Sequence, residues 1–335
     1  MGGDFGPRVT VPAVLSSLGS DPQLSVLLVG DRSQIDSFLP SDLDAELSSR
    51  LDILHTEESI SNTDKPSQVL RHKQQSSMWL AINHLKQGDV QACVSAGNTG
   101  ALMALGRFIL KTFPGVDRPA ICKPVPTRML GSVGGIGRCY MLDLGANINC
   151  SSEQLLQFAL MASVLVQNVE EIDEPRVGLL NIGEEDIKGG EQVKLAATLL
   201  TENPHLNYVG YIEGNGIYTG SADVLVCDGF TGNIALKASE GAAYFMAKQM
   251  AHIFKSSRFG RIIGWFARPL LLKWRNQFNP DRYNGASFLG LQGTLVKSHG
   301  NADINGFISA LSMAKEQAQK RLPEHINQRF AELTQ

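Results

Sequence analysis

One stretch, ACVSAGNTGALM at 92–103, constrains the fold more than any other. It begins with a short apolar run typical of a buried parallel strand and ends in an Ala-, Leu- and Met-rich helical segment. Its turn carries Ser95, Gly97, Asn98, Thr99 and Gly100. Glycine permits a sharp turn, Asn98 or Thr99 can cap the helix, and free N–H groups at a helix start favour an anion. For a single stretch, an ordinary tight βα turn is the simpler interpretation.

Three further apolar runs end in the same way, at Gly together with Asn, Asp, Glu or Thr. They are LDLGAN at 142–147, LLNIGEE at 179–185 and DVLVCDGFTGN at 223–233. Because ligands of open α/β sheets lie at the carboxyl ends of strands, we expect the four polar ends to form one shared site on one edge. The alternation of strand and helix patterns predicts an α/β fold, a Rossmann-like, doubly wound, mostly parallel α/β/α sheet.

Composition bounds the class of protein. The 335 residues are 43% hydrophobic and 19% charged, enough for a large core, and we expect one domain over 1–335. A formal net charge of -3 argues against a nucleic-acid partner. The five cysteines lack metal-ligand spacing, so we expect reduced, buried thiols. No metal cluster or nicotinamide fingerprint is visible in the sequence, so we expect no metal and no cofactor. The sequence shows neither a signal peptide nor an apolar run of 18 residues, so it supports neither secretion nor a membrane-spanning helix.

Several segments carry weaker predictions. The pattern over 67–86 predicts one amphipathic helix, and the Pro- and Gly-rich residues 113–138 predict a connection across the surface. The glycine-dense loop MGGDFGP at 1–7 would normally follow a strand. We therefore expect either an additional amino-terminal strand before Met1, with the start assigned too late, or a sheet that lacks one member.

Residues 255–280 differ from the rest because they contain six lysines and arginines and no acidic residue. At 100° per residue the arginines cluster on one face and apolar side chains on the other, and Pro269 should kink or end the helix. A basic amphipathic helix with aromatic residues is typical of an interfacial membrane element; packing on a neighbouring subunit is the alternative. The expected membrane contacts are Phe259, Ile262, Ile263, Trp265, Phe266 and Trp274, of which Trp265 falls outside the apolar face.

Together with MGGDFGP, YNGA at 283–286 and KSHG at 297–300, the glycine-rich blocks above make the chain resemble the bacterial phosphate acyltransferase family over nearly its whole length. These are the acyl-ACP:phosphate transacylases of phospholipid synthesis. The resemblance implies an architecture related to isopropylmalate dehydrogenases and phosphotransacetylases, and a homodimer. It implies reversible transfer of a long-chain fatty acyl group from acyl carrier protein to inorganic phosphate.

The same resemblance implies where the product goes. Acyl phosphate would pass to a membrane glycerol-3-phosphate acyltransferase, so the protein is expected to be cytoplasmic and peripheral on the anionic inner face of the plasma membrane. Two features depart from the family pattern: members carry a strand ending in Asp before MGGD, and residues 127–138 are longer and richer in glycine than the usual connection.

Acyl transfer to phosphate needs charge neutralisation, positioning and donors to the thioester oxyanion. The candidate catalytic residues are Lys297, His299, Asn181 and Lys188. The candidate substrate-binding residues are Gly3, Asp4, Gly97, Asn98, Thr99, Gly100, Asp143, Asn147, Glu184, Glu185, Asp228, Thr231 and Asn233. Lys297 would neutralise phosphate charge, and His299 would orient phosphate or protonate the departing thiolate, unless His299 is only structural.

Two other functions remain open from the sequence. An NAD-dependent β-decarboxylating dehydrogenase would share the architecture but needs acidic metal ligands and a nicotinamide site. A non-catalytic membrane-associated scaffold would use the basic segment as its working part. The convergent polar strand ends argue against the scaffold, which has no need of them.

Overall fold

A computed structural model describes residues 2–127, 137–277 and 283–333, with the backbone alone at 258, 260, 271–277 and 333. The helices are α1 (Pro7–Ser20), α2 (Arg32–Asp36), α3 (Ala45–Ser49), α4 (Pro66–His72), α5 (Ser77–Gln87), α6 (Thr99–Ile109), α7 (Ser152–Glu170), α8 (Glu191–Glu202), α9 (Gly229–Lys255), α10 (Arg258–Gln277), α11 (Ile304–Gln319) and α12 (Leu322–Leu333). The strands are β1 (Val26–Gly30), β2 (Leu51–His55), β3 (Ala92–Ser95), β4 (Ala120–Pro126), β5 (Arg138–Leu142), β6 (Arg176–Leu180), β7 (Asn207–Ile212), β8 (Val224–Val226), β9 (Ala286–Leu289) and β10 (Thr294–Lys297).

The strands form two sheets with helices packed on them. β1 and β2 pair in parallel, and the other eight strands form one sheet in the order β3-β10-β9-β4-β5-β8-β6-β7. Four of its seven pairings are parallel, which confirms the predicted α/β fold with a mostly parallel sheet. One apolar core joins the sheet to α7, α8 and α12, and a second joins it to α5 and α6.

The direction of the strands reverses in the middle of the large sheet. Three successive pairings, β10–β9, β9–β4 and β4–β5, are antiparallel. An odd number of reversals makes β3 and β10 run opposite to β5, β8 and β6. The register brings the two directions together in the middle of the sheet, because Lys297 is opposite Ala286, Ser287 is opposite Cys122 and Lys123 is opposite Met141. The end of β10 therefore lies level with the end of β5. The strands reach this place from opposite directions rather than along one edge as predicted, and a site shared by the four polar ends stays a prediction.

The reversal was missed because the strands that cause it were not predicted. The segment 113–138, predicted to be a surface connection, contains β4, whose Ala120, Ile121 and Cys122 are at most 5% exposed. Proline normally excludes a central strand, because it lacks the N–H that the ladder needs. Here Pro124 and Pro126 lie in the half of β4 that pairs with β5 alone, whereas β9 pairs with the first three residues.

The structure differs from two of the helix predictions and confirms the prediction about the cysteines. The single helix expected over 67–86 is split into α4 and α5, and Ser76 caps α5 by accepting a hydrogen bond from the Trp79 N–H. α10 continues through Pro269 rather than ending there. All five cysteines are buried free thiols, as predicted, and burial raises the pKa of Cys93 to about 12.

A buried carboxylate joins β4, β5 and the start of α9. Asp143 is 0% exposed and accepts hydrogen bonds from the N–H groups of Ile121 at 2.9 Å, Ala146 at 3.1 Å and Asn147 at 2.6 Å. The Gly229 N–H, the first of α9, donates to the Asn147 carbonyl at 2.8 Å. The loop after β5 thus holds the amino-terminal end of α9.

Gly232→Ala is expected to destabilise the fold severely, since a Cβ there would stand 2.0 Å from the Asp143 carbonyl oxygen. Backbone must move to admit it, which costs about 3 kcal/mol or more. Gly241→Ala, in the same helix with nothing within 4 Å of the new Cβ, should instead stabilise by about 0.5–1 kcal/mol. Urea unfolding measures both; equal effects would contradict the close contact.

Candidate active site

Ionisable side chains gather where β10 ends, beside α9 and β4. Lys237 Nζ lies 3.4 Å from His299 Nε2 and 3.1 Å from Glu240 Oε2, and Lys123 Nζ lies 3.4 Å from Glu240 Oε1. Lys297 is the last residue of β10, two residues before His299. We call Lys123, Lys237, Glu240, Lys297 and His299 the lysine cluster.

Lys297 is a buried cation with few partners of opposite charge. The residue is 9% exposed, and its Nζ donates to the carbonyl of Ala96 at 3.2 Å and to that of Ser298. Burial lowers the pKa of Lys297 to about 8, with Asp4 opposing and Lys237 adding to the effect. An ammonium group held in this way gains strongly from an anion that it can contact.

His299 is positioned by its backbone. The His299 N–H donates to Asn284 Oδ1 at 2.9 Å, and the Asn284 amide donates to Ser298 Oγ and to the Gly306 carbonyl, both at 2.8 Å. Burial and the charge of Lys237 lower the pKa of His299 below its usual range. The imidazole is therefore neutral near pH 7 and can accept a proton.

The amino-terminal glycine loop closes over the same place. The Asp4 N–H donates to the Gly300 carbonyl at 2.7 Å, and Gly3 has a φ of 78°. A Cβ at Gly3 would stand 2.9 Å from that carbonyl oxygen, so glycine is needed for the approach. The structure thus brings together the predicted residues Gly3, Asp4, Gly97, Lys297 and His299. With three lysines against Asp4 and Glu240, the group has an excess positive charge suited to an anion.

The predicted residues Asn98, Thr99 and Gly100 lie at the start of α6. Asn98 Oδ1 caps the helix by accepting from the Ala101 N–H at 3.0 Å, and its Nδ2 donates to three carbonyls of residues 61–64. Its side chain is therefore engaged by the protein itself. Any contact of this turn with substrate remains a prediction.

A second group of predicted residues lies at the carboxyl ends of β5 and β8. Asp143 and Asn147 are buried, and their hydrogen bonds with each other and with β4 make them positioning residues. Asp228 caps α9 by accepting from the Thr231 N–H at 2.7 Å. Asn233 is exposed and lies beside Gly145. A Cβ built on Gly145 would lie 3.6 Å from the Asn233 Cβ.

The loop after β6 holds the remaining candidates. The Asn181 amide donates to the carbonyls of Gly183 at 3.1 Å and Lys188 at 3.3 Å, which shapes the loop. The Lys188 Nζ lies 3.6 Å from Glu185 Oε2 in a solvent-exposed pair, and Glu184 is exposed. The roles of Asn181, Glu184, Glu185 and Lys188 in catalysis or binding stay predictions.

α9 connects the two groups. Asn233 and Lys237 are four residues apart, so they lie on the same face of the helix about one turn apart. Asn233 thus faces the end of β5 while Lys237 contacts His299 at the end of β10. The candidate site therefore lies along this face of α9.

Sequence reasoning missed Lys123, Lys237, Glu240 and Asn284. The helical spacing from Asn233 to Lys237 could have indicated Lys237. Asn284 belongs to the YNGA block, which was noted without assigning it a role. Lys123 was hidden because its segment was not predicted to be a strand. In the described ranges no group of three or more His, Cys, Asp or Glu side chains is arranged to hold a metal ion.

With this geometry in view, comparison with known proteins assigns a family. The sequence model of the family described as "Fatty acid synthesis protein" matches residues 1–325. The chain belongs to this family. Proteins named phosphate acyltransferase are similar over almost the full length: one from Shewanella woodyi is 48% identical over 98% of this chain and 94% of its own, and one from Pseudomonas fluorescens is 51% identical over 99% and 96%.

Solved structures show the same fold at low sequence identity. A phosphotransacetylase from Streptococcus pyogenes has a TM-score of 0.60 at 16% identity, covering 94% of this chain and 91% of its own. A branched-chain phosphotransacylase from Enterococcus faecalis has a TM-score of 0.60 at 13% identity, covering 95% and 96%. The family resemblance predicted from the glycine-rich blocks is confirmed, and the chain is an acyltransferase.

The carboxyl-terminal part of α9 and the helix α10 also carry exposed apolar residues. Exposed fractions are 73% for Phe259, 57% for Ile262, 43% for Ile263, 68% for Trp265 and 72% for Phe266. α10 packs on α9, where a Cβ at Gly264 would meet Phe254 at 3.1 Å. The side chain of Trp274 lies outside the described residues. Among the described helices none is both long and apolar enough to cross a membrane.

The depressed pKa of Lys297 predicts a pH-dependent stability that Lys297→Met removes. Between pH 8 and 10.5 the unfolded chain binds one more proton at this lysine than the folded chain, so folding becomes more favourable as pH rises. The wild type should therefore gain roughly 3 kcal/mol relative to Lys297→Met across this range. Urea unfolding of both chains at several pH values measures the difference; a constant difference would contradict the assignment.

Proposed function

We propose that this acyltransferase transfers a long-chain fatty acyl group reversibly from acyl-acyl carrier protein to inorganic phosphate, giving acyl phosphate for phospholipid synthesis. The observation that carries the proposal is the lysine cluster, with its excess positive charge and its buried ammonium group. The acceptor and the acyl group are also supported by the relatives named phosphate acyltransferase and by the family described as a fatty acid synthesis protein.

Phosphate is the nucleophile in this mechanism. Lys297 and Lys237 hold the phosphate dianion, and one phosphate oxygen attacks the thioester carbonyl carbon. The attack forms a C–O bond and a tetrahedral intermediate. The C–S bond then breaks, which releases the carrier thiolate. Because the imidazole of His299 is neutral, it can take the proton from the phosphate hydroxyl and pass it to that thiolate. The products are acyl phosphate and the free carrier thiol.

Asn233 is the candidate for the acyl side of the site. It is exposed on the face of α9 that carries Lys237, one turn from the lysine cluster. Its amide N–H can donate to the oxyanion that forms at the thioester carbonyl. Gly145, beside Asn233, leaves room because it has no side chain.

α9 and α10 form the proposed membrane-facing part. The exposed apolar residues named above stand beside Arg261 and Arg268, which are also exposed. Such a surface suits peripheral attachment to the anionic inner face of the plasma membrane, where the acyl phosphate would meet a membrane glycerol-3-phosphate acyltransferase. The same helices offer apolar area for a homodimer, which we propose as the assembled form of this cytoplasmic protein.

Lys237→Ala is expected to raise the phosphate concentration for half-maximal activity by about 10–100-fold, because it removes a charge-assisted contact of about 1.5–3 kcal/mol. Lys297→Ala should act in the same direction, and His299→Ala should lower turnover at saturating phosphate. The assay incubates acyl-acyl carrier protein with phosphate and follows release of the carrier thiol.

Lys248→Ala is the matched control, since Lys248 lies on the same helix over the Tyr244 ring and away from His299. Its phosphate dependence should equal that of the wild type. Rapid thiol release without phosphate would mark a thioesterase and overturn the proposed function. Unchanged phosphate dependence in folded Lys237→Ala and Lys297→Ala would overturn the site.

Replacing Phe259, Ile263 and Phe266 together by Ser should release the protein from anionic vesicles while activity in solution is retained. These side chains are exposed, so the fold loses little. The control is Phe38→Ser, which replaces an exposed phenylalanine just after α2. This variant should bind vesicles as the wild type does. Vesicle sedimentation at rising salt measures binding, which should weaken as charges are screened. Unchanged binding would assign these residues to a subunit contact.

A further inference from the structure

The segment from Lys65 to Lys111 has a charge unlike that of the whole chain. It contains six lysines and arginines and one acidic residue, Asp89, whereas the full chain has a formal net charge of -3. The Asp89 Oδ2 lies 2.7 Å from His84 Nδ1, so this carboxylate is already engaged. The helices α4, α5 and α6, which this segment forms together with β3, therefore present a basic surface. A local excess of one sign of charge attracts partners of the opposite sign.

Two aromatic side chains lie among these cations. The ring centroids of Trp79 on α5 and Phe108 on α6 are 5.9 Å apart, and Lys111 Nζ lies 5.0 Å from the centroid of the Phe108 ring. Arg107 precedes Phe108 in α6, and Lys86 lies seven residues after Trp79, which places both of these on one face of α5. We call Trp79, Lys86, Arg107, Phe108 and Lys111 the aromatic–basic patch.

The aromatic–basic patch is open to solvent. Phe108 is 50% exposed, and Lys86, Arg107 and Lys111 are exposed as well. Among the residues that the structure describes, no carboxylate lies within salt-bridge distance of these three cations. Aromatic and arginine side chains are enriched in protein interfaces, where charges of one partner meet opposite charges of the other. The patch therefore suits a protein whose own surface carries carboxylates around an apolar spot.

Helix α6 connects the patch to the active site. Its amino-terminal cap is Asn98, two residues after Ala96, whose carbonyl accepts a hydrogen bond from Lys297 Nζ at 3.2 Å. The helix spans about 16 Å at 1.5 Å per residue, and the patch lies at its other end. A partner on the patch thus stands away from the lysine cluster, at a distance that suits a reactive group on a long flexible arm.

The face of α6 between its two ends carries no charge. Gly100, Met103, Ala104 and Arg107 follow the helical spacing of one face, and the first three of these are partly exposed. Gly100 has no side chain and Ala104 has only a methyl group. An extended arm can therefore lie along this face as far as the lysine cluster.

We propose that the aromatic–basic patch is the docking surface of the acyl carrier protein, a partner recognised here as an acidic protein that carries its thioester on a flexible arm. The inference rests on the proposed function, which names this carrier as the acyl donor. Carboxylates of the carrier contact Lys86, Arg107 and Lys111, and an apolar side chain of the carrier packs on Phe108. The arm follows α6 to the lysine cluster, where the acyl group is transferred.

The shape of the patch favours a protein over an anionic membrane. Attachment at a membrane interface needs apolar side chains that project beyond the basic groups, as on α10. In the patch, Trp79 is half-buried beside Phe108, and the Lys111 ammonium group lies over the Phe108 ring. The rings are thus packed on the protein and covered in part by charge, which suits a polar partner surface.

The test measures binding of acyl carrier protein without an acyl group, so that no reaction takes place. Replacing Arg107 and Lys111 together by Glu should raise the dissociation constant by about 10–100-fold, because two attractive contacts become repulsive. Phe108→Ala should weaken binding by about fivefold or more, whereas Arg107→Lys keeps the charge and should bind much as the wild type does. Isothermal titration calorimetry at rising salt should show weaker binding by the wild type and less salt dependence in the double variant.

The matched control reverses two arginines on the other side of the sheet. Arg321 precedes α12 and Arg329 lies within it, and α12 packs in the core formed with α7. Replacing both by Glu changes the net charge by the same amount and should leave carrier binding unchanged. In the thiol-release assay, the variant with Glu at positions 107 and 111 should need more acyl-carrier for half-maximal rate. Its use of acyl-pantetheine, which has the arm but no protein, should not change.

Three results would overturn the docking surface: no binding of the carrier by the wild type, equal binding by the wild type and the double variant, or an equal loss in the matched control. Weaker binding to anionic vesicles with unchanged carrier binding would assign the patch to a membrane. Dissociation of a dimer with unchanged carrier binding, seen by sedimentation, would assign it to a second copy of the chain. Failure of the proposed function is distinguishable, because absence of acyl transfer in the wild type leaves the comparison of carrier binding intact.

Discussion

The hydrogen bonds of the Asp143 carboxylate hold together the parts that build the site. Fully buried, the carboxylate ties the start of β4 to the loop after β5, and that loop receives the first N–H of α9. Burial raises the pKa of Asp143, and the N–H donors from Ile121, Ala146 and Asn147 oppose that rise. Because a buried carboxylate is costly unless its donors are in place, this junction tolerates little movement. The direction of α9, and hence the position of Lys237, depends on it.

The lysine cluster is arranged around a charge that the protein alone does not satisfy. Lys297 is buried with backbone carbonyls as hydrogen-bond partners, while Glu240 is shared between Lys123 and Lys237. Burial and the neighbouring lysine keep His299 neutral. A bound phosphate would supply the missing negative charge, so the substrate completes the electrostatics of the site. The lysine cluster is therefore prepared for an anion at the cost of local stability.

The reversal of strand direction gives the site its shape. In a fully parallel sheet the polar strand ends would share one edge. Here the ends of β3 and β10 face one way and those of β5 and β8 the other, and α9 crosses between them. Two groups of polar residues therefore lie along one face of α9, about one turn apart. The same helix continues beyond these residues into the exposed apolar region that packs with α10.

The sequence by itself determined the α/β class, the strands that end in glycine and the family, and it proposed Lys297 and His299 as candidates, because these depend on local periodicity and on short blocks of residues. Strand direction was decided only by the tertiary structure. β4 contains two prolines, which in the sequence alone are typical of a loop. The strand tolerates them because the half that contains them pairs with β5 alone. Lys123 meets the Lys237–Glu240 pair of α9 only through long-range packing, and no local pattern reports a contact between residues more than a hundred positions apart.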